Sequence, residues 1–362
     1  MKTLSPPMNF ALPQRTGLPI SALTASFNNT SATYKYYWLL SILSELEKGN
    51  AIIPKHRIFA GMVSLAWYTV NYFHVSFGKQ DQLQRAIKQI RDLEGITIDE
   101  KQEVVKQKII NSLNPLTARA IQYFDQEVPH RYLSPWFPEL KGNRAEIYRL
   151  SAAFENDCPY ALNEQNITIN PLWHGYLVEH AGILKAFCYW HLSLYLQKHN
   201  PNVPDIPNKL IKPARRNNLL NQRKFWNRVL DHTGPLECIY THKKLVHGSF
   251  AVEHFIPYAF VSHDLIWNLI PADPSFNSRK NDKLPRMEDY FDGYYQLQKT
   301  AIEVMTENYP KEPIMEDYLS LFPNANAQQL PETDLRGRFL ENVQPLLTIA
   351  NNNGFEYMGK FL

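Results

Sequence analysis

VEHFIPYAFVSHDLIWNLIPADPSFNSRKNDKLP, residues 252–285, is the stretch on which the prediction of fold and function for this chain rests. It combines a carboxylate next to a histidine, two asparagines and a lysine: Glu253, His254, Asn268, Asn277 and Lys280. Pro274 comes just ahead of the polar segment SFNSRKNDK and is typical of a first helical turn. In a helix, Asn277, Lys280 and Asn281 would share one face, because they are three and four positions apart.

The segments before this helix predict two strands. Residues 236–241 (LECIYT) and 249–256 (SFAVEHFI) are rich in β-forming side chains, and the polar residues 242–248 between them suit a hairpin loop. Two strands and a short helix form a ββα unit. If the unit closes, Glu253, His254 and Asn277 meet around one point.

These pieces resemble the HNH, or ββα-metal, nucleases. The resemblance covers about residues 236–285, and its specific pieces are EHFIP, WNLIP and NSRKNDKLP. The spacing is similar to that of the HNH domain in type II CRISPR effectors and of bacterial HNH proteins of restriction and phage-defence type. The implied activity is metal-dependent hydrolysis of phosphodiester bonds by an endonuclease.

The resemblance implies a role for each side chain. His254 is expected to be the general base that activates water, and Asn268 to brace the loop that holds this histidine. Glu253 takes the place of the usual aspartate ligand. Asn277 stands at the last position of the HNH motif, which supplies a metal ligand, so the resemblance implies an HNN variant. Lys280 is expected to neutralise the scissile phosphate.

The chemistry of phosphodiester hydrolysis supports these residue types. It needs a base to deprotonate water and a cation to absorb charge on the phosphate and the leaving oxygen. An imidazole suits the base because its unperturbed pKa is about 6.5. A carboxylate and an amide oxygen favour Mg²⁺ or Mn²⁺ as cofactor. No structural zinc is expected, because Cys158, Cys188 and Cys238 are too scattered for a tetrahedral cysteine site.

Simpler interpretations of the same residues stay open. Asn268 is equally typical of a turn, Asn277 of a helix cap and Lys280 of a solvated surface charge. Two other functions also stay open. One is a catalytically degenerate module that binds nucleic acid without cutting it, which the unusual Glu253 would suit. The other is an effector subunit that is silent until a partner or nucleotide signal activates it.

Composition and helical patterns predict two domains. We predict a helical N-terminal domain at 1–205 and, at 206–362, a nuclease domain whose ββα core is followed by C-terminal helices. The Pro-rich segment 199–213 lies at the boundary, where four prolines prevent a continuous helix. The predicted fold class is therefore mainly α with an embedded ββα-metal nuclease core. Within the N-terminal domain, we predict helices at 34–50, 58–74, 81–93, 98–113 and 171–198, and short strands at 144–154 and 167–169.

Basic side chains around the predicted core suggest contact with nucleic acid. Residues 209–228 contain seven lysines and arginines and no acidic residue, so a basic helix here could lie along phosphates. A solvated basic face explains the same pattern. The candidate nucleic-acid-binding residues are Arg215, Arg216, Arg223, Lys224, Lys243, Lys244 and Arg279. The expected partner is double-stranded DNA.

The expected location is the cytoplasm. The N-terminal residues lack a continuous apolar core, no stretch has the length of a membrane span, and three cysteines do not form a disulfide framework. We therefore expect no membrane contact. A homodimer and a complex with a partner subunit of a defence system are both compatible with the sequence.

Overall fold

The computed structural model describes residues 12–212, 218–322, 325–326, 329–330 and 334–359. The chain divides into two compact units, which we call unit 1 (Met1–Pro201 with Ile206–Lys212) and unit 2 (Asn202–Asp205 with Pro213–Leu362). Helices dominate both units and the sheets are small, which confirms the predicted fold class. None of the helices in the described ranges combines the length and the apolar character that a membrane span requires.

Unit 1 is a helical unit with one small sheet. Its described helices are α1 (Ile20–Ala25), α2 (Tyr34–Leu46), α3 (Lys55–Asn71), α4 (Gln82–Glu94), α5 (Gln102–Ile110), α6 (Pro115–Gln122), α7 (Pro129–Tyr132), α8 (Arg144–Ser151), α9 (Pro171–Glu179) and α10 (Ala181–His199). Its strands are β1 (Ile52–Pro54), β2 (Tyr160–Leu162) and β3 (Asn166–Ile169), which pair antiparallel in the order β1-β3-β2. Short 3₁₀ turns lie at Tyr123–Gln126, Ser134–Trp136, Pro138–Leu140, Phe154–Asn156 and Ile206–Lys209.

Helices α2 and α3 form the centre of unit 1 and pack against each other. Both are apolar nearly all round, as expected of helices enclosed by other elements. Trp38 of α2 is fully buried, and its Nε1 donates a hydrogen bond to Tyr160 Oη on β2 at 2.9 Å. The predicted helices at 34–50 and 58–74 are therefore confirmed, with ends shifted by a few residues.

Two predictions for unit 1 were wrong. The segment predicted as a strand at 144–154 is helix α8, because the Asn143 side chain caps it by accepting a hydrogen bond from Glu146 N. The predicted single helix at 171–198 is two helices. His180 has a non-helical backbone (φ −105°, ψ 15°), which ends α9 and begins α10.

Unit 2 contains the predicted nuclease core. Its described helices are α11 (Leu220–Thr233), α12 (Tyr258–Val261), α13 (Pro274–Lys280), α14 (Met287–Asn308) and α15 (Leu335–Asn352). Its strands are β4 (Leu236–Glu237), β5 (Lys244–Leu245), β6 (Ala251–His254) and β7 (Leu269–Ala272), with 3₁₀ turns at Ile266–Asn268 and Pro313–Ser320. Strand β4 pairs with β5 and β6 pairs with β7, both antiparallel.

The predicted pairing of the strands was wrong. Segment 249–256 does not pair with 236–241; its strand, β6, pairs with β7, which places His254 opposite Leu269. The four residues of β7 are all buried, and a short apolar run of this kind is typical of an enclosed strand. The ββα core is therefore β6, β7 and α13, and helix α13 begins at Pro274 as predicted.

The buried histidine of α7 makes unit 1 sensitive to acid. Burial, with Arg131 and Arg144 nearby, lowers the pKa of His130 to about 4. The same histidine in an unfolded chain has a pKa of about 6.5. Above that pH the histidine is neutral in both states, so folding carries no cost from keeping it unprotonated. This cost appears, and stability is lost, as the pH falls from 6.5 to about 4.

We therefore expect His130→Gln to flatten the dependence of unfolding free energy on pH between 6.5 and 4. Urea titrations of the full chain at several pH values measure this slope. His174→Gln, at a half-exposed position of unit 1, is the matched control and should leave the slope unchanged. Parallel pH profiles for wild type and His130→Gln would show that His130 is not the responsible group.

Candidate active site

Helix α13 is fastened to strand β6 by Lys280. The Nζ atom of Lys280 donates to Glu253 Oε1 at 2.7 Å and to the carbonyl oxygen of His254 at 2.8 Å. Lys280 has no exposed surface and Glu253 is 5% exposed, so this is a buried ion pair. The sequence prediction placed Lys280 at the scissile phosphate. In the structure, the ammonium group instead contacts the Glu253 carboxylate and the His254 carbonyl oxygen of β6.

Asn268 fixes the chain that leaves β6 directly after His254. Its Oδ1 accepts a hydrogen bond from Ile256 N, and its Nδ2 donates to Ile256 O, both at 2.8 Å. Its own carbonyl oxygen accepts from Phe255 N at 2.8 Å. The side chain is fully buried, so these bonds are shielded from water and hold the backbone in one conformation.

The segment that carries Asn268 is itself held by helices α11 and α14. Gln298 Nε2 donates to Ile266 O at 3.2 Å and to Leu269 O at 3.0 Å. Trp226 Nε1 donates to Leu269 O at 3.1 Å, and Tyr318 Oη donates to Gln298 Oε1 at 2.6 Å. These buried hydrogen bonds occupy the carbonyl oxygens of Ile266 and Leu269, on either side of Asn268, and so fix the position of the asparagine.

We expect Asn268→Ala to destabilise unit 2 by roughly 2 kcal/mol, because it leaves the buried N–H and C=O groups of Ile256 without partners. Denaturant midpoints of the variant and the wild type measure this loss. Asn308→Ala is the matched control, since the Asn308 side chain donates to a carbonyl oxygen on the exposed surface of α14. Equal costs for the two variants would contradict the bracing role.

The imidazole of His254 is oriented by a carboxylate. His254 Nε2 lies 2.9 Å from Asp264 Oδ1, and the ring packs edge-on against Tyr258. Because a carboxylate oxygen accepts hydrogen bonds, Nε2 is the ring nitrogen that carries the hydrogen in this pair, and Nδ1 is the nitrogen left for another partner. The backbone carbonyl of Asp264 accepts from Gln222 Nε2 at 3.0 Å, which anchors this residue to α11.

Sequence reasoning missed Asp264. The residue lies ten positions after His254, in the short polar segment SHD between two apolar segments. No local spacing rule links it to the histidine. A short polar segment within an apolar stretch was the one signal in the sequence for a hydrogen-bond partner of His254.

Glu253 and Asn277 carry the side-chain oxygen atoms that remain available as metal ligands. Across the described ranges, Glu253 Oε2 and the half-buried Asn277 side chain have no hydrogen-bond partner. Asn277 lies on α13 one turn before Lys280, which itself contacts Glu253. In the described part of the chain, no group of three His, Cys, Asp or Glu side chains could hold a metal ion. A carboxylate and an amide oxygen nevertheless fit Mg²⁺ or Mn²⁺, which keep several water or phosphate ligands.

The first turn of α13 is fixed by an aspartate and a lysine. Asp273 Oδ1 accepts from Ser275 N at 3.0 Å and so caps the helix, and Lys243 Nζ lies 2.7 Å from Asp273 Oδ2. The Lys243 ammonium group, with the Ser275 hydrogen bonds, lowers the pKa of Asp273 to about 2. Lys243 is therefore held at the start of the helix that carries Asn277.

The other predicted nucleic-acid-binding residues differ in what they contact. Arg215 and Arg216 lie outside the described residues. Arg223 Nη1 donates to Phe250 O at 2.6 Å, so its guanidinium is partly committed to the fold. Lys224, Lys244 and Arg279 are exposed. The prediction of a basic helix at 209–228 was wrong in its first part. Lys209 ends the 3₁₀ turn Ile206–Lys209, residues 210–212 are not helical, and α11 begins at Leu220 and ends at Thr233.

Comparison with protein families identifies this region. Residues 238–286 match the model of a family described as HNH endonuclease, and the match contains β6, β7 and α13. The segment is therefore similar to HNH endonuclease domains, which confirms the resemblance at the level of the family. The comparisons with curated proteins and with solved structures found no match to this chain.

Proposed function

We propose that this protein is a metal-dependent endonuclease that hydrolyses phosphodiester bonds in double-stranded DNA, with His254 as the general base. The observation that carries the proposal is the orientation of the His254 imidazole. Its Nε2 is held by Asp264, and His254 lies next to Glu253 at the end of strand β6. It occurs inside the segment that matches the HNH endonuclease family.

In this proposal, His254 Nδ1 takes a proton from the attacking water, because its lone pair is free once Nε2 donates to Asp264. Asn268 keeps the histidine in place by fixing the chain just after it. Glu253 Oε2 and Asn277 Oδ1 would hold Mg²⁺ or Mn²⁺. When bound, the ion supplies positive charge to the phosphate and to the leaving oxygen.

Lys280 acts in this proposal as a positioning residue. Its ammonium group stabilises the buried carboxylate of Glu253 and leaves the second carboxylate oxygen available. It also ties α13, and with it Asn277, to β6. A direct contact between Lys280 and the scissile phosphate would require this buried pair to break.

The substrate assignment rests on exposed cations. Lys224, Lys244 and Arg279 are exposed side chains of unit 2, and cationic groups of this kind contact phosphates without reading sequence. We propose double-stranded DNA as substrate, the cytoplasm as location and restriction or phage defence as context.

A second candidate function is a non-cutting nucleic-acid-binding module. The observation that favours it is the Lys280–Glu253 ion pair, which already neutralises the carboxylate expected to attract the metal. An effector subunit that needs a partner is the third candidate, because the family match leaves unit 1 without an assigned role.

A plasmid assay separates these functions. The full chain is incubated with supercoiled plasmid and Mg²⁺ or Mn²⁺, with a chelator as control, and the nicked and linear products are measured. The endonuclease proposal predicts cleavage that requires the ion and His254. Binding without cleavage would favour the module, and cleavage only with a co-purified partner chain would favour the effector subunit.

We expect Asp264→Asn to lower kcat roughly 10-fold to 100-fold, because an amide no longer fixes the tautomer and orientation of His254. KM should change little, since Asp264 is not proposed to touch DNA. Asp231→Asn is the matched control, because Asp231 pairs with His247 on the exposed surface of unit 2. Wild-type kcat in Asp264→Asn would remove Asp264 from the mechanism.

A further inference from the structure

Unit 1 contains a cavity far from the family match in sequence. Residues 29–35, around the start of α2, and 127–142, around α7, line a cavity of about 540 Å³. Pockets that bind small ligands typically measure about 300–1,000 Å³. The volume is therefore large enough for a small organic molecule.

The lining of this cavity carries a surplus of positive charge. Lys35, Arg131 and Lys141 line it together with one carboxylate, that of Glu127. Arg131 Nη1 lies 3.1 Å from Glu127 Oε2, so these two charges offset each other. Within the described ranges, Lys35 and Lys141 have no carboxylate partner. Two cations of the lining are thus left to interact with an anion.

Lys35 is held against the cavity wall. Its Nζ donates to Ser26 O at 3.1 Å and to Asn29 O at 3.4 Å. Burial, with Arg131 nearby, lowers the pKa of Lys35. These carbonyl contacts orient the ammonium group without neutralising it, and a bound anion would stabilise its charged form.

The remaining lining offers apolar surface and hydroxyl groups. Tyr34, Phe137 and Pro138 contribute rings, while Thr30 and Ser134 contribute hydroxyl groups. A ligand that carries both a doubly charged anionic group and a ring would use the two lysines that have no carboxylate partner within the described ranges, together with the rings. A phosphate ester near pH 7 carries about this charge.

We propose that the cavity binds a small organic phosphate with a ring system, with the phosphate between Lys35 and Lys141 and the ring beside Phe137. The cavity lies outside residues 238–286, so the proposal does not depend on nuclease activity. A nucleoside monophosphate has the required size and chemistry.

Calorimetric titration of the full chain tests this site. The probes are AMP, inorganic phosphate, adenosine and benzoate, which separate the phosphate from the ring and the phosphate from a carboxylate. We expect AMP to bind most tightly. Lys141→Ala should weaken AMP binding about 5-fold to 10-fold, and Lys35→Gln by at least about 10-fold. Lys88→Ala, an exposed lysine of α4, is the matched control and should leave binding unchanged.

Three results would overturn the proposal. One is the absence of AMP binding at millimolar concentration to the folded wild type. Another is equal binding of AMP and inorganic phosphate, since the ring would then contribute nothing. The third is equal weakening by Lys88→Ala and Lys141→Ala, which would indicate general surface attraction. Because Lys141 is exposed, its variant is expected to fold even if Lys35→Gln does not.

Discussion

Replacing His254 with alanine is expected to lower plasmid cleavage by at least about 100-fold, because a general base typically contributes about 10²-fold to 10⁴-fold to the rate. The ring is the base that the geometry favours, since Asp264 holds Nε2 and leaves the Nδ1 lone pair for water. The imidazole is 12% exposed, makes one side-chain hydrogen bond and packs against Tyr258, so the variant should also lose some stability. Thermal unfolding therefore checks that His254→Ala is folded at the temperature of the cleavage assay.

Matched variants separate a catalytic loss from an unspecific one. His247→Ala removes an exposed imidazole of unit 2 that also pairs with an aspartate, Asp231, and it should cut like the wild type. Both variants should bind DNA equally, as measured at one fixed salt concentration. Equal cleavage by His254→Ala and the wild type would remove His254 from the mechanism.

Replacing Lys280 with methionine is expected to destabilise unit 2 by about 3–5 kcal/mol, the usual cost of leaving one charge of a buried pair without its partner. Methionine fills much of the volume of the lysine but donates no hydrogen bond. The variant therefore leaves the Glu253 carboxylate and the His254 carbonyl without their buried donor. Thermal and denaturant unfolding of the full chain, followed on the tryptophans of unit 2, measure the loss.

A double variant tests whether the pair, rather than the lysine alone, causes this loss. Glu253→Gln combined with Lys280→Met should recover much of the stability, because neither charge then remains buried. Cleavage should be lost in this double variant, because it removes the carboxylate proposed to hold the metal. Lys283→Met, an exposed lysine just beyond α13, is the matched control and should cost little. If Lys280→Met costs no more than Lys283→Met, the ammonium group is not part of a buried pair in solution.

Local sequence rules predicted the parts of the site that depend on neighbouring residues. Pro274 ahead of the polar segment predicted the start of α13, and the β-forming side chains of residues 249–256 predicted β6. Each of these follows from residues within one turn or one strand. The motif pieces EHFIP, WNLIP and NSRKNDKLP together predicted the family.

Long-range pairing was beyond these rules. The sequence placed the partner of β6 at 236–241, whereas the structure places it at β7, because two apolar runs of similar length competed and only packing decides between them. The burial of Lys280 was missed for the same reason. A lysine in a polar segment predicts exposure, and its partner Glu253 lies 27 positions earlier.

A direct view of the metal tests the central claim. A crystal of the full chain soaked in Mn²⁺ should give an anomalous peak within about 2.3 Å of both Glu253 Oε2 and Asn277 Oδ1. His254 Nδ1 should face a water on that ion. A peak elsewhere, or none at millimolar Mn²⁺ with Lys280 still bonded to Glu253, would contradict the metal-dependent nuclease.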